Sequence, residues 1–274
     1  MNNYQSQNYI HGYSNTEQER LIQQAQYWRD DLILRDINYL SGKKLLEIGC
    51  GAGAVLGILG QVYSGLEIAG IDLESKQIDY YARQYLSSLD LTNADLRVGD
   101  ANKLPWQDNI FDYIYAMWFL EHLSNPLSVL KEAKRVLKPK GTITITETDY
   151  RTIVITPHSA DYQYLQDGLC KLLLQSGGNP YMGQSLGNLL IDAGFNNVEN
   201  KALSFHYCSK KDRLQLQQFI SYVDSWLAPT IPQIATKLGK DKGRLVSGLE
   251  WFRSIGSKDN SAVTAVIYRA SATK

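Results

Sequence analysis

The stretch Leu45-Leu46-Glu47-Ile48-Gly49-Cys50-Gly51-Ala52-Gly53 decides how the rest of the chain is read. KLLEI over 44–48 is a short apolar run of strand length, and it passes directly into a turn with glycine at alternate positions. Glycine permits a tight turn and lets a ligand approach the backbone with no Cβ in the way. An apolar helix begins at about Ala54. In such a strand–turn–helix unit the ligand lies beyond the carboxyl end of the strand. Gly49, Gly51 and Ala54 also fit G-x-G-x-x-A, and Asp72 ends the next strand about 20 positions on, where a ribose-binding carboxylate belongs.

Working outward, strands and helices alternate. EIAGID (67–72) is the second strand, followed by a helix carrying Ile78, Tyr81, Ala82 and Tyr85. DLRVG (95–99) and FDYIYA (111–116) are further strands. The next helix opens at Ser124-Asn125 with Pro126 at its first position, and its end carries Lys134, Arg135 and Lys138, which complement the helix dipole. Pro139-Lys140-Gly141 turns the chain into TITITET (142–148). This order predicts an α/β fold, doubly wound around a mostly parallel seven-stranded sheet. Upstream, Ser14 and Glu17 form an S-x-x-E capping box for a helix over 14–40, with the apolar stripe Leu21, Ala25, Trp28 and Leu32. Downstream, 160–175 and 183–193 read as helices and 198–207 and 262–269 as strands. Helical stretches at 210–227 and 231–255 make a cap insertion of about 208–256 between the last two strands. Three parts are expected: an N-terminal helical lid (1–40), a ligand-binding core (41–150), and a sheet completion with its cap (151–274).

Composition narrows the class. Lys plus Arg and Asp plus Glu both number 28, so net charge gives no electrostatic case for nucleic acid. No apolar run reaches the roughly 18 residues of a membrane span. The polar start MNNYQSQNYIHGYSN does not read as a secretory signal. Cys50, Cys170 and Cys208 are far apart, without a CxxC pair, so neither a disulfide framework nor a zinc site is expected, and a cytoplasmic setting fits. The 18 tyrosines suit half-buried pocket walls, having an apolar body and a polar tip.

Nicotinamide dinucleotides and S-adenosylmethionine both carry a ribose, so Asp72 does not separate them. Three features favour the adenosyl cofactor: Glu47 two residues before Gly49, Asp100 placed toward an adenine amino group, and a third glycine at 53. Residues 44–149 resemble the core of class I S-adenosylmethionine-dependent methyltransferases. LLEIGCGAG, AGIDLE, VGDANKLPWQDNIFDYIYA, FLEHLSNP and RVLKPKGTITITE resemble successive motifs of the small-molecule branch, which includes quinone-type and natural-product enzymes. The resemblance implies that Gly49, Cys50 and Gly51 lie against the methionine part, Asp72 and Leu73 against ribose and adenine, and Asp100 and Ala101 at the adenine edge. It further implies Ala116 and Met117 beside the methyl group, and an H-G-Y-S segment, with Tyr13, closing over the cofactor.

Methyl transfer is an in-line displacement with a neutral leaving group, so it needs no acid, and it needs a base only when the acceptor must lose a proton. His122, Glu147, Tyr150 and His11 are the candidates for such work, and each also has an ordinary structural role open to it. Arg151 would bind an acceptor carboxylate or pair with Glu147 or Asp149. The first residues of the 177–195 stretch, and Phe219, Tyr222, Trp226, Leu227, Trp251 and Phe252 of the insertion, are candidate acceptor-pocket walls or plain packing. Lys237, Lys240, Lys242 and Arg244 form a basic run that reads as a solvated turn. The expected activity is methyl transfer to an N or O atom of a small organic acceptor. A peptide, protein or RNA acceptor, or a non-catalytic S-adenosylmethionine-binding module, is the alternative.

Overall fold

The computed structural model describes residues 9–274, so the first eight residues of the expected lid lie outside the described residues. Strands β1 (Lys44–Ile48), β2 (Glu67–Asp72), β3 (Asp95–Val98), β4 (Phe111–Met117) and β5 (Leu137–Thr148) run parallel in the order β3-β2-β1-β4-β5. β8 (Ala262–Thr273) is antiparallel to β5, and β7 (Asn196–Cys208) covers the other edge of β8 along nearly its whole length. The described sheet has eight strands, one more than expected. The extra one, β6 (Val154–Thr156), pairs with the start of β8 where β5 has ended. Three residues are too few to show strand periodicity in a sequence.

Helices α2 (Ala54–Val62), α3 (Arg83–Ser88), α4 (Pro126–Val136) and α6 (Met182–Asp192) flank the sheet, and α5 (Ala160–Gln175) packs mainly on helices inserted after β7. Two apolar cores result. Leu45, Tyr115 and Met117 point to one and Leu46, Ile114 and Ala116 to the other, as the alternation of a strand requires. The α4 start is as read: Asn125 accepts from the Ser128 amide at 3.3 Å, with Pro126 at the first position.

The N-terminal helix is shorter than expected. α1 covers Asn15–Tyr27, a π-helical turn continues over Arg29–Ile33, and helix ends there. What holds this segment is remote in sequence. Arg269 on β8, 5 % exposed, donates to the carbonyls of Leu32 and Arg35 and to Thr146 Oγ1. The capping box is half made. Ser14 accepts from the Glu17 amide at 3.2 Å, but the Glu17 carboxylate is taken by Arg20 at 2.6 and 2.7 Å and by the Tyr9 hydroxyl at 3.0 Å. A buried guanidinium out-competes a single backbone amide for a carboxylate.

The insertion between β7 and β8 forms three helices, α7 (Arg213–Leu227), α8 (Ile231–Leu238) and α9 (Lys242–Ser254). The expected second stretch breaks at Gly239, which ends α8 in the left-handed region at φ 62°. The insertion packs on α1, and the Gln233 side chain donates to the Ile10 carbonyl. No described helix is long and apolar enough to cross a membrane.

Candidate active site

β1 has β2 on one side and β4 on the other, so the chain reverses its winding there and opens a crevice beyond the carboxyl ends of β1 and β4. A cavity of about 450 Å³ occupies that crevice. The amides of Gly49 and Cys50 both donate to the Ile71 carbonyl, at 2.9 and 3.0 Å, which folds the glycine turn back over β2. Two glycines are favoured by a positive φ, and the first also by a close contact. Gly49 has φ +72°, and a Cβ there would stand 2.3 Å from the Phe119 ring. Gly51 has φ +48°, and a Cβ there would meet only Leu21, at 3.8 Å, so it would project toward the open space.

Asp72 braces this turn. One carboxylate oxygen accepts from the Gly51 amide and the other from the Glu74 amide, both at 3.0 Å. A carboxylate has about four acceptor positions, so capacity for two ribose hydroxyls is left. Burial raises the Asp72 pKa. Leu73 is 52 % exposed at the rim of the cavity, an apolar side chain free to cover a flat ring. Asp100 accepts from the backbone and side chain of Asn102 at 2.8 and 2.9 Å. Glu47, Cys50, Ala101, Met117 and Tyr13 also line the cavity. Ala116 does not, because strand alternation turns it into the core on the opposite face of the sheet. Burial pushes the Cys50 thiol well up, which leaves it an inert small residue of the turn.

The four candidates for chemistry divide. His11, His122 and Tyr150 line the cavity. Burial and the Arg20 charge lower His122 to about 4 and His11 well below its ordinary value, so both imidazoles are neutral at pH 7. Glu147 is not on the cavity wall. It is fully buried, and one of its oxygens accepts from the amides of Phe119 and Leu120 at 3.0 and 2.6 Å, holding the turn after β4. Burial, then the neighbouring Glu121 carboxyl, raises the Glu147 pKa well above the ordinary range. Its folded pKa thus exceeds its unfolded one, so the native state binds the extra proton and stability falls as pH rises from the unfolded pKa toward the folded one. Glu147→Gln keeps both acceptor bonds and cannot titrate. Thermal melts between about pH 5 and pH 8 should therefore fall less steeply for this variant than for the wild type. Parallel curves would mean that Glu147 is ionised in the fold.

Arg151 pairs with Asp149 at 2.8 Å, lies over the Tyr181 ring, and stands outside the cavity. Within the basic run, Lys237 bonds Gln233, Lys240 the Tyr164 carbonyl and Arg244 Asp161, each at 2.9 Å. His206 bonds Thr264 at 2.8 Å on the exposed side of β7. Of the insertion aromatics, Phe219, Tyr222 and Trp226 line the cavity, whereas Trp251 and Phe252 pack against Tyr162. From the 177–195 stretch, Gly178 reaches the wall.

Sequence reasoning missed Glu121 and Trp118. Trp118 takes φ +48°, a strained value for a bulky residue, and its indole donates to Thr148 at 2.8 Å. Its place directly after Met117 at the end of β4 was the available signal. Glu121 is 3 % exposed and lines the cavity, with the Tyr150 hydroxyl donating to it at 3.3 Å. Adjacency to His122 was the only hint of it.

A family model described as a methyltransferase domain matches residues 40–194, more than half of the chain. The chain belongs to the class I S-adenosylmethionine-dependent methyltransferases. An uncharacterized methyltransferase of Schizosaccharomyces pombe is 29 % identical over 178 residues, 62 % of this chain, and the match covers 63 % of that protein's length. A demethylmenaquinone methyltransferase of Staphylococcus epidermidis is 30 % identical over 190 residues, 65 % of this chain and 77 % of its own. Among solved structures, phosphoethanolamine N-methyltransferase 2 of Haemonchus contortus, with S-adenosyl-L-methionine bound, has a TM-score of 0.60 and 18 % identity. That similarity covers 96 % of this chain and 57 % of the worm enzyme's. The [4+2]-cyclase SpnF has a TM-score of 0.54 and 22 % identity, covering 90 % and 82 % of the two chains. These structural likenesses concern the fold, and the cyclase illustrates that a fold does not decide a reaction.

The methyltransferase site fits its cofactor chemically. Two buried acceptor atoms near the glycine turn, Glu47 Oε2 and Gln77 Oε1, lack a protein partner and line the cavity. An adenosyl amino acid brings donors for such atoms, and buried acceptors without donors are costly.

Proposed function

We propose that this methyltransferase moves a methyl group to an N or O atom of a small organic acceptor. Asp72 would hold the ribose, Leu73, Asp100 and Ala101 would border the adenine, and Glu47, Gly49, Cys50, Gly51 and Met117 would border the methionine part, with Tyr13 closing the rim. When bound, S-adenosylmethionine supplies a methyl group activated on a sulfonium, with a neutral thioether as leaving group. The protein's task is to align acceptor and methyl and to keep water out.

The observation that carries this reading is the shape and lining of one cavity. From the glycine turn it continues to a wall of Trp28, Trp118, Tyr150, Tyr222 and Trp226, roofed by the N-terminal segment and the insertion. A volume of about 450 Å³ holds a cofactor and a small molecule rather than a folded partner. The names of the demethylmenaquinone methyltransferase relatives favour a second reading, transfer to a ring carbon of a quinol-type acceptor. The three unpaired cysteines suit a cytoplasmic setting.

The test is incubation with methyl-labelled S-adenosylmethionine and a cell extract divided by size. Label entering the low-mass fraction, with S-adenosylhomocysteine formed in proportion, is the expected result. Label confined to protein or RNA would overturn it. Binding of S-adenosylhomocysteine with no turnover on either fraction would point to a module without catalysis.

A further inference from the structure

Four more partnerless buried atoms belong to residues of the cavity wall: the indole nitrogens of Trp28 and Trp226, His11 Nδ1 and Glu121 Oε2. The other Glu121 oxygen receives the Tyr150 hydroxyl at 3.3 Å and lies 3.6 Å from His122 Nε2. The ionisable groups around the cavity are unequal in kind. Among the described residues that line it, Arg20 is the only lysine or arginine, and it is fully engaged. Its guanidinium grips Glu17 at 2.6 and 2.7 Å and Gln24 at 2.6 Å. Facing the space are the carboxyls of Glu47, Asp72, Asp100 and Glu121. No cation is left on this wall for a carboxylate or phosphate, so an anionic acceptor would be buried without a countercharge, with only indole N–H groups as donors, at high cost. Aromatic rings complete this end: Tyr150 and Trp226 have centroids 5.8 Å apart, and Tyr222 and Trp226 6.3 Å apart. Ring faces attract cations.

We propose that the acceptor is an amine with an apolar body, that its ammonium docks on Glu121 Oε2 within this aromatic wall, and that Glu121 takes the proton which the nitrogen must lose. This rests on the methyl-transfer reading and specifies its acceptor. The proton passes from R–NH₃⁺ to the Glu121 carboxylate, giving R–NH₂ and a neutral carboxylic acid. The freed lone pair forms the new C–N bond while the C–S bond breaks and its electron pair stays on sulfur. The product is the methylated ammonium, and total charge is conserved.

The surroundings of Glu121 suit the proton transfer. Burial holds its carboxyl at about 8. Burial also raises the Glu147 carboxyl on β5, and Tyr9, Tyr150 and Tyr222, all raised, stay protonated. His11 and His122 are neutral, and the Arg20 charge is offset by Glu17. Around pH 7 Glu121 in the free site therefore holds a proton, which a docking ammonium displaces.

The test uses phenethylamine and its near-isostere 2-phenylethanol, titrated calorimetrically at pH 7 into protein saturated with S-adenosylhomocysteine, in buffers of different ionisation enthalpy. The amine should bind at least roughly tenfold tighter than the alcohol and release about one proton per site, whereas the alcohol releases none. Glu121→Gln, shown folded by a cooperative melt, should lose the proton release and most of the preference for the amine. Amine binding no tighter than alcohol binding, or without proton release, overturns the proposal. The wild-type proton count decides the matter even if the variant does not fold. Failure of the wild type to bind S-adenosylhomocysteine would instead overturn the methyl-transfer reading itself.

Discussion

Replacing Asp72 by alanine is expected to weaken S-adenosylmethionine and S-adenosylhomocysteine binding by roughly 100-fold or more, with the fold retained. The remaining acceptor positions of this carboxylate would take two charge-assisted hydrogen bonds from ribose hydroxyls. At about 1.5–3 kcal/mol each, their loss is worth two orders of magnitude or more in affinity. A second contribution has the same sign. Asp72 also holds the Gly51 amide at 3.0 Å, so the variant loosens the turn against which the methionine part would lie. Stability should change little, because the buried carboxyl is itself in an unfavourable environment, as its raised pKa indicates. Calorimetric titration of both adenosyl ligands and of NADH, on wild type and variant, measures this. The wild type should bind both adenosyl ligands and not NADH. Retained affinity in a folded Asp72→Ala protein would mean that the ribose lies elsewhere.

Trp28→Ala should be the most destabilising single change at the site, by about 3–5 kcal/mol. The side chain is 1 % exposed. Its ring lies edge-on to Phe205 of β7 at 4.8 Å, Tyr222 of α7 at 5.5 Å and Trp118 at the end of β4 at 6.3 Å. It therefore joins the N-terminal segment, the late strand, the insertion and the switch point of the sheet. For a chain of this size, each kcal/mol moves the melting temperature by about 2–4 °C, so a fall of at least 6 °C is expected by calorimetry. Trp28→Phe should recover part of it, because a smaller aromatic still fills most of the space. An unchanged melting temperature would show that the N-terminal segment is not packed onto the insertion. The same ring borders the cavity, so stability and cavity shape are linked here.

Much of this was legible in the chain itself. The parallel strands, the glycine turn, Asp72 and the α4 cap follow from local rules: strand-length apolar runs, backbone needs that only glycine meets, and a Pro-led helix start. Such features depend on neighbours within a few residues, so a sequence displays them directly. Misplaced features depended on partners far along the chain. Glu17 was read as a reciprocal cap, but Arg20 and Tyr9 claim it in three dimensions. Glu147 was read toward the ligand side, yet the amides of Phe119 and Leu120 draw it into the protein.

The chain alone therefore determined a class I methyltransferase core and, Ala116 excepted, the residues that line the glycine-turn end of the cavity, because one strand–turn–helix unit and the strands beside it build that end. Only the tertiary structure decided the other end of the cavity. That end is assembled from residues as distant as His11, Trp28, Trp118, Glu121, Tyr150, Tyr222 and Trp226, brought together by the N-terminal segment and the insertion closing over the switch point. The partnerless Glu121 oxygen and the engaged Arg20 guanidinium are properties of that packing. Burial and pairing exist only once the fold has removed water and supplied partners, so no local spacing rule expresses them.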